Sequence, residues 1–308
     1  MGRRLSVFKS GGILIAMTQY VWMNGKTMPM TDAKVGAEDR GYQFADGVYE
    51  VIRIYNGRPF TLSEHLQRLE RSCEGVRLGK AFDRQTLARQ ITQFIEEHGP
   101  SEGMVYLQIT RGEAPRNHVF PKHWEPTILF YCRPLPAVAP PGTGQGISLH
   151  TVADERWHKC WIKSIALLAN ILAKNEAVDA GADEAVFVDN GLITECSTSN
   201  FFAIINHQLV THRVGPKVLP GITRLVLLQI AREIGLSVAE RPLTESEARS
   251  ASEVFICNTT HELEWVATWD GKALSKQCGP ITRQLHEAYV RRVQRETAQA
   301  APLSLANA

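Results

Sequence analysis

The sequence lacks the patterns that mark several large classes of protein. Its six cysteines lie far apart and form no CxxC pair, so their spacing indicates neither a zinc site nor a disulfide framework. The 34 basic residues almost balance the 32 acidic ones, and no dense Lys/Arg block is present to neutralise a phosphate backbone. No apolar run reaches the length of about 20 residues that a membrane span needs. We therefore expect no metal, no nucleic-acid partner, no membrane span and a reducing, cytoplasmic environment.

Both ends of the chain predict little ordered structure. Residues 1–17 place basic residues before the short apolar run GGILIA, which is short for the apolar region of a signal peptide and is followed by no clear cleavage site. We expect residues 1–19 to be a disordered extension or the product of an upstream start codon, with Met17 as the structural beginning. Residues 299–308 are expected to form a disordered tail.

The rest of the chain predicts a two-domain α+β protein. Its 308 residues, 44% of them hydrophobic, are enough for two domains of ordinary size. Antiparallel hairpins that alternate with helical patterns favour α+β over a doubly wound parallel sheet. Four dipeptides predict hairpins, because both central residues of a type I′ turn need positive φ. They are Asn24-Gly25, Asn56-Gly57, Asn190-Gly191 and Asp270-Gly271.

One segment, residues 133–146, has the composition of a linker because its prolines and glycines interrupt strands and helices. It divides the chain into a smaller N-terminal domain at 20–132 and a larger C-terminal domain at 147–298. Ligand sites favour domain interfaces, so a cleft beside this linker is the first place to expect one.

Two helices are predicted in the N-terminal domain from their ends and their apolar faces. Residues 61–76 begin with a capping-box pattern, Thr61 with Glu64, and residues 83–99 have Asp83 as N-cap and Gly99 as stop. Both helices have an apolar stripe that would pack on a sheet.

Two lysines in the apolar stretch 161–177 are candidates for chemistry. We predict a helix that begins near Ser164, with Lys163 at its positive end and Lys174 well inside it. A helix N-terminus and partial burial both disfavour a cation, so Lys163 is the better candidate for a lowered pKa and a free amine that forms a Schiff base. Its alternative is a lysine that only snorkels at a strand–helix junction. The predicted buried face of this helix consists of Ile165, Leu168, Ile171 and Leu172.

Three polar motifs lie in the C-terminal half, and each also fits an ordinary turn or cap. Residues 195–202 place the acid Glu195 before small polar residues and a Phe pair, a pattern that turns alone also produce. Residues 218–224 place Gly221, Ile222 and Thr223 at a helix start, where free N–H groups bind phosphate. Thr259 follows an apolar strand, where its hydroxyl can reach the same anion or close a turn.

These motifs together resemble the fold-type IV pyridoxal-phosphate enzymes, and the stretches at 38–57, 64–69, 109–121 and 162–177 look most like bacterial D-amino-acid aminotransferases. The resemblance covers the chain from about residue 20 to 291. It implies the two-domain fold-type IV architecture, with pyridoxal 5′-phosphate bound by the C-terminal domain, and a homodimer. The same cofactor machinery also serves branched-chain L-aminotransferases, (R)-amine transaminases and aminodeoxychorismate lyases. A different class, a non-catalytic pyridoxal-phosphate-binding protein, is disfavoured by the intact Lys163 and Glu195 pair.

The resemblance also implies roles for individual residues. Lys163 would form the Schiff base and move the proton, while Glu195 would face the pyridine nitrogen and keep the ring able to accept electrons. The phosphate would be bound by Arg68, Ile222, Thr223 and Thr259. Thr198 and Leu219 would pack near the ring.

Substrate choice is implied by another set, Tyr49, Arg116 and His118, which resembles the trap for the substrate α-carboxylate. The implied reaction is a ping-pong transfer from a D-alanine-type amino acid to a 2-oxo acid such as 2-oxoglutarate or pyruvate. His261 and Trp265 depart from the family pattern, and we expect them to narrow the pocket or change the side-chain preference.

Overall fold

The computed structural model describes residues 19–298 and contains two sheets with helices packed against them. The predicted tail and all but the last residue of the predicted N-terminal extension lie outside this range. The first sheet is antiparallel throughout, with strand order β2-β1-β6-β5-β3-β4. Its strands are β1 (Tyr20–Met23), β2 (Lys26–Pro29), β3 (Gly47–Tyr55), β4 (Arg58–Pro59), β5 (Gly103–Thr110) and β6 (Thr127–Pro134). The helices of this half are α1 (Arg40–Phe44), α2 (Leu62–Gly75) and α3 (Arg84–His98).

The second sheet has ten strands and mixes both directions. Parallel pairs join β7 to β8, β7 to β15 and β11 to β12, and the other pairs are antiparallel. Its strands are β7 (Ile147–Ala153), β8 (Glu184–Asp189), β9 (Leu192–Cys196), β10 (Asn200–Ile205), β11 (Gln208–Thr211), β12 (Val238–Glu240), β13 (Leu243–Thr244), β14 (Glu253–Asn258), β15 (Glu262–Trp269) and β16 (Lys272–Ala273). The helices of this half are α4 (Leu168–Asp179), α5 (Ile222–Glu233), α6 (Glu245–Arg249) and α7 (Pro280–Thr297).

All four predicted hairpins are confirmed. Each Asn-Gly or Asp-Gly pair joins two antiparallel strands, and both of its residues have positive φ, for example 45° at Asn24 and 88° at Gly25. Asparagine, aspartate and glycine tolerate this backbone region better than other residues, so the turns are fixed locally.

The predictions for α2 and α3 are confirmed except at one cap. Asp83 caps α3 by accepting from the Thr86 N–H at 2.8 Å. The capping box at Thr61 is wrong, because Thr61 has φ 53° and makes no side-chain cap bond. Its hydroxyl donates instead to the Phe60 carbonyl at 2.7 Å.

The prediction for α4 is wrong in both its start and its buried face. Ser164 forms an isolated β-bridge with Val48, and the helix begins only at Leu168. Leu168, Ile171 and Leu172 are 68%, 53% and 63% exposed. The small residues of the opposite face are buried instead against β7 and β8, and they are Ala173 and Ala177.

Residues 135–146 join the two sheets, and the N-terminal half of the chain makes buried contacts with the C-terminal half. β6 continues two residues into the predicted linker, because Pro134 lies opposite Gly103 at the end of the ladder, where a missing N–H costs little. The Tyr55 hydroxyl donates to Glu262 Oε1 at 2.7 Å, and Phe60 packs in the core of the second half. We retain the division into two domains as a proposal.

No helix within residues 19–298 is both long and apolar enough to span a bilayer.

Candidate active site

A cavity of about 340 Å³ lies between the two halves and is lined by both. The structure brings nine of the predicted site residues to its wall. They are Tyr49, Arg68, Lys163, Glu195, Thr198, Leu219, Ile222, Thr223 and Thr259.

Lys163 enters the cavity from a short irregular segment that is paired with β3. The Tyr49 N–H donates to the Lys163 carbonyl at 3.0 Å, and the Lys163 N–H donates to Ser72 Oγ at 3.1 Å. Its Nζ lies 4.1 Å from the centroid of the Tyr49 ring. No carboxylate within residues 19–298 forms an ion pair with this amine. Pairing with β3, rather than the predicted helix N-terminus, therefore positions it.

Glu195 is the buried carboxylate of the cavity and lies near the end of β9. Its Oε1 accepts from Arg156 Nη1 at 2.6 Å, and its Oε2 accepts from Asn200 Nδ2 at 3.1 Å and from the Leu219 N–H at 3.0 Å. Burial raises the pKa of Glu195, while the Arg156 charge and the Leu219 N–H act against this rise.

The start of α5 presents a candidate anion site in the cavity wall. Within the described chain, the N–H groups of Ile222 and Thr223 donate to no protein acceptor, and the N-cap residue Gly221 has no side chain to cap them. A Cβ at Gly221 would lie 1.9 Å from Asn200 Oδ1, so this position needs glycine. Free N–H groups and the positive end of a 12-residue helix together favour a bound anion.

Arg68 adds a buried guanidinium to the same cavity. Its Nε and Nη2 donate to the two oxygens of Glu50 at 2.8 and 2.7 Å, and its Nη1 donates to the Pro220 carbonyl at 3.0 Å. Of the five N–H groups of a guanidinium, these bonds use three. Burial acts to raise the pKa of Glu50, but Arg68 and His65 outweigh it and hold this pKa at about 2. Glu50 therefore stays ionised and fixes the direction of Arg68.

The remaining cavity residues are held in different ways. Thr198 donates its hydroxyl proton to Glu184, so this hydroxyl faces the cavity as an acceptor. The Leu219 carbonyl accepts from Asn200 at 3.0 Å, which ties this loop to Glu195. Thr259 follows β14 and reaches the wall directly.

Four of the residues that the sequence analysis singled out do not line this cavity, and they are Arg116, His118, His261 and Trp265. Arg116 and His118 are exposed and pack on Phe44, with the Arg116 Cζ and the His118 ring centroid 4.9 and 5.4 Å from the centroid of its ring. Within a single chain they therefore do not join Tyr49 in the wall of the cavity. His261 lies in an adjoining cavity of about 480 Å³ that shares Tyr49 and Lys163. Trp265 lines neither of these two cavities and faces a third one behind residues 135–146.

The sequence analysis missed Arg156 and the role of Asn200. Both touch Glu195 directly, and both are buried. Arg156 follows β7 and pairs with Asp154 two residues earlier. The signal available in the sequence was this Asp-x-Arg pattern directly after an apolar strand, where charged residues need partners if they are buried.

The arrangement brings three groups to one cavity: a candidate anion site, the amine of Lys163 and the buried carboxylate of Glu195. Among the described residues, no group of His, Cys, Asp and Glu is arranged to bind a metal ion.

Comparisons with known proteins cover both sheets and the cavity. The family model "Amino-transferase class IV" matches residues 47–269. The chain is 39% identical to the D-alanine aminotransferase of Bacillus licheniformis over 281 residues, which is 91% of this chain and 99% of the relative. The structure of a branched-chain amino acid aminotransferase of Escherichia coli is similar with a TM-score of 0.82 at 26% identity, covering 89% of this chain and 94% of that chain. The structure of 4-amino-4-deoxychorismate lyase of Pseudomonas aeruginosa has a TM-score of 0.75 at 26% identity, with 91% and 100% covered.

Proposed function

The chain belongs to the class IV aminotransferase family, and on this premise we propose that it transfers the amino group of a D-amino acid to a 2-oxo acid. The donor would be of the D-alanine type and the acceptor 2-oxoglutarate or pyruvate, exchanged in a ping-pong order. The observation that carries this proposal is the Lys163 amine, which has no ion-pair partner within residues 19–298 and shares one cavity with the buried carboxylate Glu195 and the first N–H groups of α5. The D-alanine aminotransferases at about 40% identity support the choice of donor.

The residues of the cavity fit pyridoxal 5′-phosphate as the cofactor. Arg68, the N–H groups of Ile222 and Thr223, and the Thr259 hydroxyl would bind its phosphate, because charge-assisted bonds and a helix N-terminus suit a dianion. Gly221 allows Asn200 to pack directly against the start of this helix. Bound there, the cofactor supplies an aldehyde carbon that binds an amine and a ring that accepts electrons.

Lys163 and Glu195 would perform the proton chemistry of the site. Lys163 would hold the cofactor through its Nζ and would accept and return the proton of the substrate Cα. Glu195, when ionised, would accept a hydrogen bond from the ring nitrogen on Oε1, which accepts one protein hydrogen bond, from Arg156. Tyr49 packs against the amine and limits its direction.

We also propose that the protein acts as a homodimer, because the predicted carboxylate-binding set is incomplete in one chain. Tyr49 lines the cavity, whereas Arg116 and His118 lie on an exposed surface near Tyr42 and Val119, two apolar residues that are also exposed. A second exposed apolar surface, Leu168, Ile171 and Leu172 on α4, lies beside the cavity. Exposed apolar surfaces of this kind favour association. A dimer that buries both would bring Arg116 of the partner subunit to the cavity.

A mixing experiment tests this dimer. Lys163→Ala and Arg116→Ala variants should each be inactive, and refolding them together should restore part of the activity, because one site of each mixed dimer is complete. Each variant refolded alone is the control. No recovery in the mixture would contradict a site shared between subunits.

The reaction itself is tested with a substrate panel on the purified holoenzyme. The protein should be yellow, its near-visible band should shift on adding D-alanine, and Lys163→Ala should abolish turnover. Rates on D-alanine, L-leucine and (R)-1-phenylethylamine distinguish the family's activities, and a preference for L-leucine would refute the D-assignment. No half-reaction with any amino acid would favour a non-catalytic cofactor-binding protein.

A cytoplasmic location is proposed from the cysteine spacing.

A further inference from the structure

A row of buried and partly buried charges of alternating sign leads to Glu195, and Arg156, which belongs to this row, lines the cavity beside it. Lys217 Nζ lies 3.5 Å from Asp154 Oδ1, and Asp154 binds Arg156 at 2.9 Å through Nε and at 2.8 Å through Nη2. Arg156 Nη1 then donates to Glu195 Oε1 at 2.6 Å. The order is therefore cation, anion, cation, anion, which ends at the wall of the cavity.

The Arg156 guanidinium has little freedom to move. Its Nη2 also donates to the Lys217 carbonyl at 2.9 Å, and its Cζ lies 4.2 Å from the centroid of the Phe187 ring. Lys217 Nζ donates to the Arg156 carbonyl at 2.6 Å, which fixes the backbone as well. Arg156 itself is 6% exposed. Contacts on every side therefore hold the guanidinium in one orientation.

The hydrogen bonds around Glu195 suit only its ionised form. The three protein groups bound to it are Arg156, Asn200 Nδ2 and the Leu219 N–H, and all three are donors. A protonated carboxyl would need an acceptor for its own O–H, and these partners offer none. An ionised carboxylate has about four acceptor positions, so one remains on Oε1. Burial nevertheless favours the neutral form, and Arg156 is the nearest charge that opposes it.

We propose that Arg156 is a positioning residue that keeps Glu195 ionised and aims its Oε1 at the ring nitrogen of the cofactor, with Asp154 and Lys217 fixing the guanidinium. This inference rests on the proposed function, because it assumes that Glu195 meets the pyridine nitrogen. Arg156 itself acts through Glu195.

Removal of the Arg156 charge should leave burial as the dominant influence on the pKa of Glu195. Its carboxyl would then stay protonated at a higher pH and would lose its ability to accept from the ring nitrogen. Asp154 and Lys217 are the other charged groups of the row, and the thiols of Cys160 and Cys196 also lie close to Glu195. Burial raises the pKa of both thiols, so they stay neutral in the same range.

The test compares Arg156→Met, which has similar length and no charge, with Arg156→Lys and with the control Arg111→Met. Arg111 is also a buried arginine, and it does not line the cavity. It binds Asp46 through two hydrogen bonds of 2.7 and 3.0 Å. The acid limb of the kcat/KM profile should move up by about one to two pH units in Arg156→Met, the shift expected for losing one charge-assisted hydrogen bond. Arg156→Lys should show a smaller shift and Arg111→Met none.

A second measurement needs neither cofactor nor turnover. In the apoprotein, Arg156→Met should show an infrared carboxylic-acid C=O band near neutral pH that disappears when Glu195→Gln is added. The wild-type and Arg111→Met proteins should lack this band. Should Arg156→Met fail to fold, the smaller shift of Arg156→Lys still decides the question.

The outcomes separate this inference from the proposed function. If Arg156→Met and Arg156→Lys keep the wild-type profile and lack the carboxylic-acid band while Glu195→Gln loses activity, the positioning role is overturned and the function stands. If Glu195→Gln is itself as active as the wild type, the role of Glu195 at the ring nitrogen fails and this inference fails with it, whereas the proposed function fails if Lys163→Ala keeps its turnover.

Discussion

Glu50 is predicted to stabilise the fold and the anion site through one buried ion pair. Its carboxylate is fully buried and binds Arg68 through both oxygens, and its pKa falls from an ordinary value of 4.5 to about 2. Each pKa unit corresponds to about 1.4 kcal/mol, so the ionised pair contributes about 3 kcal/mol to the free energy of unfolding at neutral pH. Breaking a buried pair by removing one partner typically costs about this much.

The Glu50→Gln variant tests this magnitude. Urea unfolding of the apoprotein at neutral pH should show a loss of about 3 kcal/mol relative to wild type. Because the folded pKa of Glu50 is lowered, the stabilisation is complete above about pH 4.5 and is lost as the pH falls toward 2, so the difference between the two proteins should shrink over that range. Glu50→Gln should also bind pyridoxal phosphate more weakly, because the glutamine amide keeps one acceptor oxygen only and carries no charge, so Arg68 loses one of its two hydrogen bonds to this position and its ionic partner.

A control for this variant is Glu247→Gln, which removes a partly exposed carboxylate paired with Arg241 at 2.8 Å and leaves an amide oxygen for the capping box with Thr244. Exposed pairs contribute little, so its stability should stay close to that of the wild type. The reasoning is refuted if Glu50→Gln is as stable as Glu247→Gln, or if its deficit is the same at every pH.

Three further changes have expected outcomes. Gly221→Ala should weaken cofactor binding about tenfold or more in an equilibrium titration, since its Cβ would displace Asn200 and overpacking typically costs about 1–3 kcal/mol; unchanged binding would contradict the steric argument. Thr61→Ala should leave the melting temperature almost unchanged, whereas Asp83→Ala should lower it, because Asp83 makes a side-chain cap bond and Thr61 does not; an equal effect would contradict the observed caps. Trp265→Phe should leave the substrate preference unchanged while His261→Ser alters it, as measured by the ratio of rates on D-alanine and D-glutamate, because only His261 adjoins the cavity.

Features that depend on neighbouring residues were predictable from the sequence. The hairpins follow from two-residue turns that need positive φ, and the Asp83 cap follows from a side chain that reaches its own helix. The fold-type IV prediction is confirmed by the family match and by the similar solved structures. It required the combined spacing of Lys163, Glu195 and Gly221, because none of these residues was decisive alone.

Features that depend on distant partners were not predictable. The apolar residues of α4 suggested a buried face, but the helix packs through Ala173 and Ala177, and periodicity alone does not say which apolar stripe meets the sheet. The Thr61 capping box failed because the backbone there adopts a left-handed conformation. Arg156 meets Glu195 across 39 residues of sequence, a contact that only the pairing of β7, β8 and β9 creates.

The most direct test of the account is to identify the lysine that binds the cofactor. The holoenzyme would be treated with borohydride, which fixes a Schiff base as a stable amine, then digested and mapped by mass spectrometry. The account predicts a single phosphopyridoxyl group on Lys163. Its appearance on Lys174 or another lysine, or on none, would contradict the assignment of the cavity.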